Sequence, residues 1–146
     1  MDKDKLRCLD VTEEMINHLE AEDIDGPFGY RCQAPFYWRS SLLAHEKITA
    51  LWECGTVLSY FDIETGKFAQ CSLEAIGDVR CEYSSLQGLL AELFIDEFED
   101  ETDTETLIEY AKLFGFLSIQ RLLKEIELPK ADYEVWRREF AMSCGG

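Results

Sequence analysis

Thr56-Val57-Leu58-Ser59-Tyr60-Phe61-Asp62, then Ile63-Glu64-Thr65-Gly66, then Lys67-Phe68-Ala69-Gln70-Cys71: two β-prone runs stand on either side of a short turn. Gly66 takes a positive φ at no steric cost, which suits a hairpin loop closing on a left-handed glycine. Working outward, Ile48 to Trp52 is a candidate strand before the hairpin. Asp78 to Tyr83 is one after it, with Val79 and Cys81 on one face. The aromatic run Ala34-Pro35-Phe36-Tyr37-Trp38 is expected to add a further short strand. The sheet region thus occupies about residues 30–83.

From Ser84 the period becomes helical and stays so to about residue 143. Ser84 and Gln87 form an S-x-x-Q start, and Leu86, Leu89, Leu90, Leu93 and Phe94 recur at i, i+3, i+4, i+7 and i+8. Thr102 with Glu105 is expected to open another helix, with Leu107, Ile108, Ala111 and Phe114 inward. Gly115 interrupts, Phe116 to Ile126 resumes, and Leu128-Pro129 ends it. A last helix over about Asp132 to Met142 puts Tyr133, Trp136 and Phe140 on one side. At the other end of the chain a helix is expected from Val11 to Glu20, started by Asp10 with Glu13 and stopped by Gly26-Pro27. A chain of 146 residues that is 47% hydrophobic fits one domain with a real core.

Charge is the second strong signal. The chain carries 30 acidic and 14 basic side chains, a formal net charge of -16. Residues 121–146 hold five of each sign, so the whole excess lies in residues 1–120. Its densest stretch is Asp96-Glu97-Phe98-Glu99-Asp100-Glu101-Thr102-Asp103-Thr104-Glu105, seven carboxylates in ten residues without a cation. Two readings fit such a run: a solvated acidic linker, or a face for a basic partner. Anionic lipid and nucleic acid phosphates would be repelled, so neither a membrane nor a nucleic acid is an expected partner. No apolar run approaches the ~20 residues that span a bilayer, and Met1-Asp2-Lys3-Asp4-Lys5 leads into no signal segment. A cytoplasmic chain is expected.

Motifs for chemistry are missing. A calcium loop begun at Glu99 puts Thr104 where glycine is needed and Tyr110 where a bidentate glutamate belongs. One begun at Asp96 puts Phe98 at a ligand position. The six cysteines (8, 32, 54, 71, 81, 144) include no C-x-x-C and lie away from His18 and His45 at ligand spacing. They read as reduced thiols serving as small apolar residues. His45, in Leu-Leu-Ala-His-Glu-Lys, reads as part of an amphipathic turn. Phosphate-binding glycine loops and G-x-S-x-G are absent. The expectation is no metal, no cofactor, no catalytic residue and no enzyme.

The run Tyr60 to Phe68 resembles the "lDlxTGkV" hairpin of the SUKH superfamily, and Ser84-Ser85-Leu86-Gln87-Gly88-Leu89-Leu90-Ala91-Glu92-Leu93 resembles its "SSleeFLeeL" helix. Gln33-Ala34-Pro35-Phe36-Tyr37-Trp38 is similar to the Pro-aromatic strand entry of some members. The resemblance spans about residues 33–94. The Asn-Gly-Gly segment common near the family's N-terminus is replaced by Ile24-Asp25-Gly26-Pro27-Phe28-Gly29, and the helical tail is longer. The resemblance implies a single α+β domain over residues 1–146: a twisted, mainly antiparallel sheet flanked by helices, with a helical C-terminal third. Bacterial members are typically immunity proteins that neutralise a cognate toxin, often a nuclease or other nucleic-acid- or nucleotide-modifying enzyme with a basic groove. On that implication, Glu97, Glu99, Asp100, Glu101, Asp103 and Glu105 are expected to face the toxin, with Asp23 and Asp25 as a second edge. Phe98 is expected as an apolar anchor beside them, and Phe94 as core. A generic acidic adaptor or nucleic-acid mimic is the alternative. Oligomeric state stays open.

Overall fold

Asp62 and Gly66 close the central hairpin. The Asp62 carboxylate accepts from the backbone N–H groups of Glu64 (2.9 Å) and Thr65 (3.2 Å), and Gly66, at φ +69, donates its N–H to the Asp62 carbonyl. The structure is a computed structural model that describes residues 1–40, 47–75 and 77–146, so the expected turn around His45 lies outside the described residues. The hairpin strands are β2 (Val57–Asp62) and β3 (Lys67–Ser72). With β1 (Ile48–Cys54) and β4 (Val79–Tyr83) they form an antiparallel meander in the order β1-β2-β3-β4.

Alternation along these strands sorts side chains onto two faces. Leu58 and Tyr60 of β2 lie opposite Cys71 and Ala69 of β3; together with Trp38 they make a small core on one face. Phe61 lies opposite Phe68 on the other face, in the large core, and Ser59 opposite Gln70. The helices α1 (Lys3–Cys8), α2 (Glu13–Ala21), α4 (Leu86–Glu99), α5 (Thr104–Phe114), α6 (Ile119–Ile126) and α7 (Tyr133–Gly145) bury their apolar sides in that large core. The architecture is α+β, with a helical C-terminal part.

Several expectations are corrected. Ala34 to Trp38 is not a strand: only Gln33 pairs, exchanging both backbone hydrogen bonds with Glu53, and α3 (Phe36–Ser40) follows. Pro35 offers no N–H to a ladder, and the Glu53 carboxylate accepts from the Trp38 N–H at 3.1 Å. That helical turn swings Trp38 onto the sheet. At the N-terminus, α1 precedes the expected helix, and Asp10 (φ 66) ends α1 instead of starting α2. Thr12 caps α2, accepting from the Met15 N–H while its hydroxyl donates to the Leu113 carbonyl.

Ser85, not Ser84, caps α4. Gln87 makes no capping box; its amide donates to the Gly115 carbonyl and accepts from the Leu117 N–H, tying α4 to the α5–α6 turn. Asp103, not Thr102, caps α5, and Ile108 is exposed. Phe116 is buried but outside α6, and α7 runs on to Gly145. All five apolar positions of the α4 stripe are buried. α4 and α7 cross in close contact: a Cβ on Gly145 would lie 2.7 Å from the Gly88 Cα, and one on Gly88 would land in the Tyr83 ring.

Candidate functional site

The acidic run is not a loop. α4 continues through Glu99, so Asp96 to Glu99 form its last turn, and Asp100 to Asp103 make the short link to α5. Carboxylates at a helix C-terminus are repelled by the exposed carbonyls there. Two arginines from distant parts of the chain offset that repulsion. Arg31 donates to both Asp100 oxygens (2.9 and 3.0 Å), and its Nη1 lies 3.8 Å from Asp96. Arg137 of α7 reaches Glu92 (2.7 Å), Asp96 (2.7 Å) and Glu99 (3.3 Å) from one guanidinium. The Asp100 hydrogen bond holds Arg31 protonated well above its ordinary range. Burial works against the Arg137 charge, but Glu92 and Asp96 outweigh it, and its pKa also stands well above the ordinary range.

The expected toxin-facing residues therefore separate by environment. Glu97 is only 7% exposed and accepts from the Thr102 hydroxyl at 2.8 Å; burial pushes its carboxyl above the usual range. It belongs to the interior, which corrects its place on a partner-facing surface. Phe98 is half-buried against the large core, and Phe94 is fully buried, stacked on Phe116. Glu99 accepts from the Tyr133 hydroxyl at 2.6 Å, Asp100 is taken by Arg31, and Asp103 accepts from the Thr106 N–H and hydroxyl. The Thr106 hydrogen bonds hold the Asp103 carboxyl below its ordinary value. Glu101 and Glu105 are exposed and make no side-chain bond among the described residues.

Asp23 and Asp25 are exposed in the loop after α2, where Asp23 accepts from the Asp25 N–H. This loop is pinned to the α4–α5 junction. Phe28, itself at φ 66, packs its ring within 6 Å of Phe94, Tyr110 and Phe114, and Arg31 fastens the loop's end to Asp100. The loop that carries Asp23 and Asp25 and the acidic run, some 75 residues apart in sequence, are thus joined through Phe28 and Arg31. The loop leaves Ile24 (63%) and Tyr30 (55%) exposed, Ile24 between Asp23 and Asp25 in sequence and Tyr30 under the Arg31 guanidinium. Neither was expected from the sequence. Arg31 had a signal: it is the only cation between residues 8 and 38 of an acidic half.

A cleft of about 700 Å³ opens on the same face of the sheet as the large core, beside α4 and α7. Trp52, Ser59, Gln70 and Cys81 lie on its sheet side, and Arg137, Arg138 and Met142 on its helical side. On its sheet side three polar side chains engage one another: Gln70 donates to the Ser59 hydroxyl and accepts from the Cys81 thiol. Burial raises the Cys81 thiol to about 11 and the Cys54 thiol above its ordinary value, so neither is poised as a thiolate. Among the described residues no histidine lines the cleft. His18 donates from Nε2 to the Cys32 carbonyl and sits against Phe28 and Phe114. Among the described residues no group of His, Cys, Asp or Glu has metal-site geometry, and no helix is long and apolar enough to cross a membrane. Comparison with family models, curated proteins and solved structures returned no match.

Proposed function

We propose that this chain is an immunity protein of the SUKH type, acting in the cytoplasm by binding a cognate toxin with a basic substrate groove. It neutralises that toxin through its acidic end and carries out no reaction of its own. The observation that carries this reading is the joining of the Asp23–Asp25 loop to the α4–α5 junction by Phe28 and Arg31, with Ile24 exposed between Asp23 and Asp25 and Tyr30 exposed beside Arg31. Carboxylates placed where a nuclease would take phosphates speed encounter and exclude wrong partners, while exposed apolar side chains supply the desolvated anchors that hold the complex. The antiparallel hairpin leading into a Ser-capped apolar helix also agrees with the order of elements in that family.

The interface proposed is narrower than the acidic run. Glu97, Glu99, Asp100 and Asp103 are engaged within the fold, which leaves Asp23, Asp25, Glu101 and Glu105, with Ile24 and Tyr30, for the partner. The test is growth protection on co-expression with the toxin encoded beside this chain. Wild type is expected to protect, and the variant Asp23→Asn, Asp25→Asn, Glu101→Gln, Glu105→Gln to fail at unchanged expression. Full protection by that variant would remove the proposed surface. A generic adaptor or nucleic-acid mimic predicts no toxin gene beside this one and no protection at all.

A further inference from the structure

Among the described residues β4 is an edge strand, bonded in the sheet to β3 alone. The outer edge of β1 is partly closed by Gln33, but among the described residues no backbone group of β4 bonds outside the sheet. Exposed edges invite another strand, and folded proteins usually blunt them with charge. β4 carries charges of opposite sign, Arg80 and Glu82, two residues apart. Both are exposed, and neither has an ion-pair partner among the described residues.

We infer that a second copy of this chain pairs antiparallel along β4, about a two-fold axis through Cys81. In that arrangement Arg80 faces Glu82 of the second copy and Glu82 faces its Arg80, with Val79 against Tyr83. Slipping the register two residues in either direction sets Arg80 against Arg80 or Glu82 against Glu82. Opposite charges directly across a ladder stabilise it and like charges destabilise it, so the charges select one register.

The wider charge distribution favours the same side. Residues 121–146, which include α7, are neutral, and the cleft beside β4 is lined by four arginines and four carboxylates. Two chains of net charge -16 meet a locally balanced set of charges there, which limits their repulsion. A bulge leaves Arg80 out of the β3 ladder, so the paired stretch is short and the dimer weak. Met142, 44% exposed at the cleft, adds apolar surface nearby.

Sedimentation velocity of the purified chain under reducing conditions tests this without any toxin. Wild type is expected to shift from monomer toward dimer between about 10 and 200 µM, as a small interface requires. Arg80→Glu or Glu82→Arg alone turns both cross-pairs into like-charge pairs and should weaken association about tenfold or more. The double variant Arg80→Glu, Glu82→Arg restores opposite signs and should dimerise again. A wild type that stays monomeric, a single reversal without effect, or a double variant that does not recover would each overturn the inference.

Discussion

Glu97 shows how a residue can be legible and still be misplaced. Grouped by charge it belongs to the acidic run. By helical spacing it follows Leu93 at i+4 and Phe94 at i+3, and so continues the buried stripe. Periodicity outweighs composition here because α4 does not stop where its leucines do. The folded pKa of Glu97 is raised above its unfolded value, so its contribution to stability is best below the unfolded value and declines as pH rises through the folded one. Glu97→Gln keeps an acceptor for Thr102 and removes the buried charge. It should match or exceed wild-type stability at pH 7, by up to ~1 kcal/mol, with a smaller advantage at pH 4. Urea unfolding at the two pH values measures this, and a loss above ~1 kcal/mol at pH 7 would show the charge itself to be needed. Gly88 is required for a different reason, since a methyl there meets the Tyr83 ring. Gly88→Ala should cost ~3 kcal/mol in chemical denaturation, the upper part of the range for overpacked cores. A cost below ~1 kcal/mol would mean that Tyr83 moves aside freely.

The hairpin and the leucine helix were readable in the sequence because each repeats a local signal: period two around a glycine turn, and period 3.6 after a serine. What was not readable depends on partners far along the chain. Pro35 to Trp38 has the composition of a strand, yet Glu53, fifteen residues beyond Trp38, accepts from its N–H and the segment turns helical. The last turn of α4 is tolerable only because Arg31 and Arg137 come to it from either side in sequence. Arg137→Ala leaves Glu92, Asp96 and Glu99 facing one another beside the core. It should cost ~2–4 kcal/mol in urea unfolding, below or near the range for a fully buried pair because Arg137 keeps some solvent contact. Arg137→Lys keeps the charge but cannot fork across three carboxylates, and should fall between the two. Equal stability of all three proteins would remove Arg137 as the element that holds α7 to α4.

Across the whole molecule the negative excess belongs to residues 1–120, while residues 121–146 are balanced. The acidic end joins the α2 loop to the α4–α5 junction, while α7 lies in a neutral stretch and the cleft beside β4 is balanced. Composition showed the imbalance along the chain but not which carboxylates remain available, since hydrogen bonds and burial decide that. The proposed toxin surface (Asp23, Asp25, Glu101 and Glu105) and the proposed β4 pairing (Arg80 and Glu82) use different residues. The most direct test of the acidic-end proposal is the rate of association between this protein and its toxin, followed at about 50 and 300 mM salt, where screening of exposed charges differs strongly. Wild type should associate fast and slow down steeply with salt. The Asp23→Asn, Asp25→Asn, Glu101→Gln, Glu105→Gln variant should associate at least tenfold more slowly at low salt and respond far less to it. Identical rates and identical salt dependence for the two proteins would contradict the account.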